Sequence, residues 1–314
     1  METKERKGIQ PEWVLTGIML LCAALLVWMV ILSKPYIPGK EDPLAVHPHA
    51  AATAPAETEG EEMDPALLHQ NQTEPTEPEE TVEPTIPPEA NPYGRLDFQY
   101  DRNNYLYALK TDSYPGIDVS AFQGKIDWEK VKASGIEFAI IRLGYRGYGQ
   151  EGKLVEDKMA YENLEGALDA GLKVGVYFFS QAITVEEAVE EAEFVLKRIK
   201  VYNITMPVVF DWEYISEEAR TAKMDRRTLT DCYKAFCERI TEAGYTPMAY
   251  FNSYQSRSLM YLTELEEYPF WLALYSDRMT YPYRFEMWQY TDSGRVPGIE
   301  GNVDINLYFV DEYF

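Results

Sequence analysis

From Gly116 onward, short apolar runs alternate with amphipathic helical patterns, and few folds accept that order. The runs are Ile117–Ser120, Phe138–Leu143, Lys173–Phe179, Val208–Glu213, Pro247–Phe251, Phe270–Tyr275, Glu286–Tyr290 and Val303–Leu307, each of strand length. Between the earlier ones lie the helical patterns Trp128–Ser134, Glu156–Ala170, Val185–Lys200 and Arg227–Ala243; Thr184 and Glu187 form a capping box at the start of the third. Such alternation argues for an α/β fold with a parallel sheet and crossover helices, and eight strands predict a closed (β/α) barrel. The last two gaps, Asp277–Phe285 and Thr291–Asn302, contain Pro282 and Pro297 and are too short for crossover helices. Antiparallel hairpins are expected there, so the barrel is predicted to be irregular, with helices missing toward its C-terminal strands.

The 314-residue chain divides further upstream. Residues 1–12 carry Lys4, Arg6 and Lys7, and Trp13–Leu32 is free of charge. At about 1.5 Å per residue that run spans roughly 30 Å, the hydrocarbon thickness of a bilayer, and it predicts a transmembrane helix. A cleaved secretory signal would have a shorter apolar region and a small-residue cleavage site, whereas the chain continues Ser33-Lys34-Pro35-Tyr36. Only Lys34 and Lys40 follow closely, so the bias of basic residues puts the N-terminus in the cytoplasm and the remainder outside the cell membrane. Residues 33–90 form an acidic, Pro-rich linker: Glu41–Ala90 holds nine prolines and thirteen acidic residues without a lysine or arginine. Such a segment has too little apolar surface to fold and acts as a tether. Residues 91–114 regain aromatics around Arg102-Asn103-Asn104 and read as a hairpin extension, leaving 115–314 as the main domain.

Histidine usage narrows the chemistry. His47, His49 and His69 all fall in the linker, and none occurs from Asn91 onward. That removes a histidine-based triad, a Cys–His nucleophile pair and a His-ligated zinc from the main domain, and no metal or cofactor is expected. Cys22 belongs to the apolar N-terminal run. Cys232 and Cys237 share a helical face with Leu229, Tyr233, Phe236 and Ile240; five residues of helix rise about 7.5 Å, too far for a disulfide, so both read as core thiols. A net charge of −23 argues against nucleic acid as a partner.

Carboxylates remain. Pro207–Tyr214 reads PVVFDWEY, an apolar run ending in Asp211 and Glu213. In a strand these two share a face, with Cα atoms roughly 6.6 Å apart at about 3.3 Å of rise per residue. One carboxyl beside another suits acid–base work, because each charge raises its neighbour's proton affinity; the alternative is an acidic strand end that meets solvent. Asp118 and Asp304 also sit in apolar surroundings, in the first and eighth runs. Catalytic groups of such barrels gather at the C-terminal ends of strands, where these four would converge.

Read in order, GIDVSAFQGKIDW, FAIIRLGY, GVYFF, PVVFDWE, WLALY, WQY and VDIN resemble the family 25 glycoside hydrolases, lysozymes that act as N-acetylmuramidases. The resemblance covers Gly116–Phe314. It implies an irregular barrel that cuts the β-1,4 bond between N-acetylmuramic acid and N-acetylglucosamine in peptidoglycan glycan strands. By position Glu213 matches the general acid, Asp211 its partner carboxylate, and Asp118 and Asp304 the two further acids. Tyr177, Trp271, Tyr275 and Trp288 match the aromatics of the sugar groove. The chain departs from many members in reading Tyr177-Phe178-Phe179 in place of Tyr-His-Phe. A non-catalytic wall-binding module on the same fold is the rival from another class; the four acids argue against it. The expected location is a single-pass membrane protein whose catalytic domain faces the cell wall.

Overall fold

The computed structural model describes residues 87–310. The expected cytoplasmic N-terminus, the expected membrane helix at 13–32 and the linker up to residue 86 lie outside the described residues. Among those that are described, no helix is long and apolar enough to cross a membrane. In chain order they form β1 (Phe98–Tyr100), β2 (Leu106–Ala108), β3 (Asp112–Val119), α1 (Trp128–Ala133), β4 (Phe138–Arg146), β5 (Leu154–Glu156), α2 (Ala160–Asp169) and β6 (Lys173–Ser180). There follow α3 (Val185–Ile199), β7 (Val208–Trp212), α4 (Arg226–Glu242), β8 (Pro247–Asn252), β9 (Phe270–Ala273), β10 (Met287–Gly294) and β11 (Val303–Val310).

Eight of the strands close into a barrel in the order β3-β4-β6-β7-β8-β9-β10-β11, with β5 attached outside β4. Neighbours from β3 round to β10 are parallel, while β11 runs antiparallel to both β10 and β3. The hairpin expected between β10 and β11 is present. The one expected between β9 and β10 is not: the chain returns without a helix, and β10 lies parallel to β9. What this crossover lacks in helix it supplies in side chains, because Met279, Tyr281 and Phe285 are buried along it. The helix predicted over Glu156–Ala170 starts at Ala160, since Glu156 is drawn into pairing with Gly144 of β4. At α3, Thr184 accepts the Glu187 N–H at 3.3 Å while the Glu187 carboxylate accepts the Ile183 N–H at 2.8 Å.

Strand alternation separates two cores. Phe138, Ile140, Tyr177, Val209, Met248, Tyr250, Trp271 and Met287 fill the barrel, whereas Val176, Phe178, Val208, Phe210 and Trp212 face the helices. The barrel floor requires Gly116, because a Cβ there would stand 2.3 Å from the Phe138 ring. Cys232 and Cys237 are buried free thiols on α4, and burial pushes Cys232 up to about 12.

The N-terminal extension takes the place of the missing helices. β1 and β2 pair antiparallel across a turn in which Asp101 Oδ1 accepts the N–H groups of Asn103 and Tyr105, and Asn104 adopts φ 66°. Asn tolerates this left-handed geometry better than most side chains. Phe98 meets Trp288 edge-on at 5.0 Å and Tyr93 stacks on Phe309 at 4.7 Å, so the extension covers β10 and β11 from outside. Glu89 and Ala90, assigned by composition to the linker, are already paired with Arg284 and Tyr283 of the β9–β10 crossover.

Candidate active site

Barrel closure brings Asp118 and Asp304 together as register partners on β3 and β11. Because β11 runs in reverse, Asp304 reaches the mouth from near the start of its strand, not from its C-terminal end as expected of the other acids. Asp211 is on β7, with Glu213 one residue past its end. All four line one cleft of about 400 Å³, together with Tyr177, Tyr250, Trp271 and Gln289; Phe122, Asp292, Glu300 and Asn302 form further parts of its wall. Asp118, Asp211 and Glu213 are at most 5% exposed.

Burial pushes the Asp211 carboxyl well above the usual carboxylate range; the charges of Glu213 and Asp118 push it further, and Arg142 pulls it back. Asp304 is raised as well, by burial first and then by the charge and hydrogen bonding of Asp118. The cause is plain: four carboxyls line one cleft and three of them are buried, so full ionisation there is costly. Arg142, buried beside the mouth on β4, donates its Nε–H to Asp157 Oδ2 at 2.8 Å, with Phe122 lying 5.1 Å from its guanidinium carbon. Asp157 also accepts the N–H groups of Ala121 and Met159, so this pair anchors the loop after β3 to the start of α2.

A polar relay underlies the acids. Asp118 Oδ2 accepts from Gln289 Nε2 at 2.9 Å and from Asn306 Nδ2 at 2.7 Å. Asn306 Oδ1 in turn accepts the Trp271 indole N–H at 2.9 Å, and Gln289 Oε1 accepts the Tyr250 and Tyr275 hydroxyls at 2.8 and 3.1 Å. Burial raises Tyr177, Tyr250 and Tyr275 well above the usual phenol range, so they remain hydroxyl donors at neutral pH. Trp271 packs edge-on against Tyr250 at 4.8 Å and Tyr177 at 6.5 Å, which makes an aromatic wall above the relay.

Six of the eight residues singled out in the sequence line this cleft, and Tyr275, 37% exposed, joins it only through its hydroxyl on Gln289. Trp288 does not. It faces outward from β10, fully buried against Phe98 and Tyr290, and its indole N–H donates to Leu274 O at 2.7 Å. Its neighbours Met287 and Gln289 take the inner face, as strand alternation demands. Sequence reasoning missed Gln289, Asn306, Tyr250 and Arg142. Alternation was the usable signal: Gln289 stands two residues after an apolar inward position, and Asn306 two after Asp304. Among the described residues no group of three or more His, Cys, Asp or Glu side chains is arranged to hold a metal ion.

The sequence profile named "Glycosyl hydrolases family 25" matches residues 117–299. Over 207 residues the chain is 30% identical to the uncharacterized protein YegX of Escherichia coli strain K12, covering 62% of this chain and 68% of that protein. Over 212 residues it is 29% identical to Lysozyme M1 of Streptomyces globisporus, with 63% and 68% covered. Among solved structures, the modular autolysin LytC of Streptococcus pneumoniae aligns with a TM-score of 0.56 at 26% identity, over 68% of this chain and 50% of LytC. This chain thus spans half the length of LytC, which has also been solved in complex with a synthetic peptidoglycan ligand.

Proposed function

The chain belongs to the glycosyl hydrolases of family 25, and we propose that it is a lysozyme that cleaves the β-1,4 bond between N-acetylmuramic acid and N-acetylglucosamine in peptidoglycan. The observation that carries this reading is the convergence of Asp118, Asp211, Glu213 and Asp304 on one cleft walled by Tyr177, Tyr250 and Trp271. Glycoside hydrolysis needs a protonated carboxyl at the leaving oxygen and negative charge opposite the developing oxocarbenium ion. Asp211 and Glu213 supply both as a pair. Burial and the neighbouring charges of Glu213 and Asp118 raise the proton affinity of Asp211, so the pair holds a proton to higher pH than an isolated aspartate would.

Glu213 passes that proton to the glycosidic oxygen. The C1–O bond breaks with its electron pair going to the leaving N-acetylglucosamine hydroxyl, and positive charge develops on the N-acetylmuramic acid ring. Asp211 and Asp118 face that charge, with Asp118 held in place by Gln289 and Asn306. Water completes the hydrolysis and restores the proton to the pair. Tyr177 and Trp271 line the cleft beside these acids.

The reading extends to location. Trp13–Leu32 serves as a membrane anchor and the acidic linker as a tether of roughly 40 Å mean span, so that the barrel works on the wall outside the membrane. Protease accessibility of the barrel in intact cells tests this part.

The catalytic proposal is tested by mass spectrometry of muropeptides released from purified peptidoglycan. Wild type is expected to release fragments ending in reducing N-acetylmuramic acid, and Glu213→Gln to lose about 10²-fold or more in rate, the size of a general-acid contribution. Release of no reducing ends by wild type, or an undiminished rate in Glu213→Gln, would overturn it.

A further inference from the structure

Two buried glutamines with no part in the proton transfer hold the backbone of the acid-bearing segment. The pairing of β7 with β8 ends at Asp211 opposite Tyr250, and that with β6 ends at Trp212 opposite Ser180. Glu213 stands one residue beyond the last paired position. In an extended chain successive carbonyls point to opposite neighbours, and here each of the next two meets a side-chain amide. Gln255, from the turn after β8, donates its Nε2–H to Trp212 O at 2.7 Å; Gln181, the first residue after β6, donates to Glu213 O at 2.9 Å.

The partners of the amide oxygens fix the orientation of both groups. Gln255 Oε1 accepts the Asn252 N–H at 2.7 Å, and Gln181 Oε1 accepts the Thr221 hydroxyl at 2.8 Å, so only the NH₂ end of either amide faces the strand. Gln181 and Gln255 are 0% and 2% exposed, and Gln255 opens the π-helical turn Gln255–Leu259, a distortion of the kind that gathers at functional sites.

We propose that Gln181 and Gln255 are positioning residues, which continue the β6 and β8 ladders by side chain and thereby fix where the Glu213 carboxyl stands against Asp211. This rests on Glu213 being the acid. The consequence is geometric: a hinge at Trp212 or Glu213 would swing the carboxyl, and a displacement of about 1 Å at a reacting group costs on the order of 10²-fold in rate.

The test uses the full-length chain and two substitutions at one position. Gln255→Met keeps the bulk and removes the donor. Gln255→Glu keeps donor and acceptor only while its carboxyl is protonated; once ionised, it meets the Trp212 carbonyl with a like partial charge, beside Asp211 and Glu213. On peptidoglycan, Gln255→Met is expected to lower kcat by about tenfold to a hundredfold at every pH, with KM changed less than about twofold. Gln255→Glu is expected to recover toward wild type at pH 5 and to fall to the level of Gln255→Met at pH 8. Because a buried glutamate also destabilises the fold as it ionises, Tm is measured for both variants at pH 5 and pH 8 and kcat is compared well below it; a kcat that only tracks the folded fraction would overturn the assignment. Equal pH dependence in the two variants, or an undiminished kcat in Gln255→Met, would overturn the assignment. Carbon-13 titration of the Asp211 and Glu213 carboxyls gives a readout free of turnover. Their midpoints should move in Gln255→Met, and unchanged midpoints would refute the positioning role. An inactive wild type would instead refute the acid reading.

Discussion

Trp288 offers the sharpest test of how this barrel is built, because its two possible places lead to opposite phenotypes. In the groove, its removal would weaken sugar binding and leave the fold intact. In the structure it is fully buried beneath the N-terminal extension, edge-on to Phe98 at 5.0 Å, with its indole N–H on Leu274 O at 2.7 Å. Truncating a buried tryptophan to alanine costs about 3–5 kcal/mol in lost transfer energy and cavity. Leaving the Leu274 carbonyl without its donor adds about 1 kcal/mol or more. A loss near 5 kcal/mol, at about 2–4 °C per kcal/mol for a domain of this size, lowers Tm by about 10–20 °C in Trp288→Ala. Trp288→Phe retains most of the packing and should lose roughly half as much. Turnover of peptidoglycan, measured well below the lowered Tm, should stay within about twofold of wild type, because no atom of Trp288 lines the cleft. Scanning calorimetry and muropeptide release on the same preparations decide the matter. An unchanged Tm with a many-fold rise in KM would refute the outward placement and, with it, the role of the extension as a substitute for helices.

Trp288 also marks the limit of what the chain reveals unaided. The barrel was legible because its strands and helices carry distinct periods, and because Asp118, Asp211, Glu213 and Asp304 are charges set in apolar runs, where chance rarely leaves them. The supporting relay was not. Gln289 and Asn306 are neither apolar nor charged, and only closure of β3 onto β11 brings their amides to Asp118. In WQY both Trp288 and Gln289 suit a sugar site, and the face each takes depends on the register of β10 against β9. The parallel β9–β10 crossover left no periodic trace, since Met279, Tyr281 and Phe285 follow the barrel wall irregularly. The covering role of the extension was hidden for a related reason: Phe98 and Trp288 meet only in the folded chain.

Two further outcomes follow from packing and from charge. Gly116→Ala should cost about 1–3 kcal/mol by calorimetry, because its Cβ would stand 2.3 Å from the Phe138 ring; adding Phe138→Leu should restore part of that, and independent, additive effects would rule out the contact. The acids should show the trade of stability for function as a pH dependence. Asp211 and Asp304 bind their protons more tightly in the folded state than in the unfolded chain. Their contribution to stability is therefore fully present below the unfolded aspartate value of about 3.9 and is lost as pH rises through the folded values. Tm should accordingly decline from mildly acidic toward alkaline pH. Asp304→Asn removes one of the two groups, so it should flatten that decline and raise Tm at pH 8. The neutral amide no longer faces Asp118 with a charge, and the gain should shrink as pH falls and the native carboxyl takes up its proton. A Tm profile in Asp304→Asn that parallels wild type across this range would mean that the mouth carries its charges without mutual penalty. The account of a proton retained by the Asp211–Glu213 pair would then fail with it.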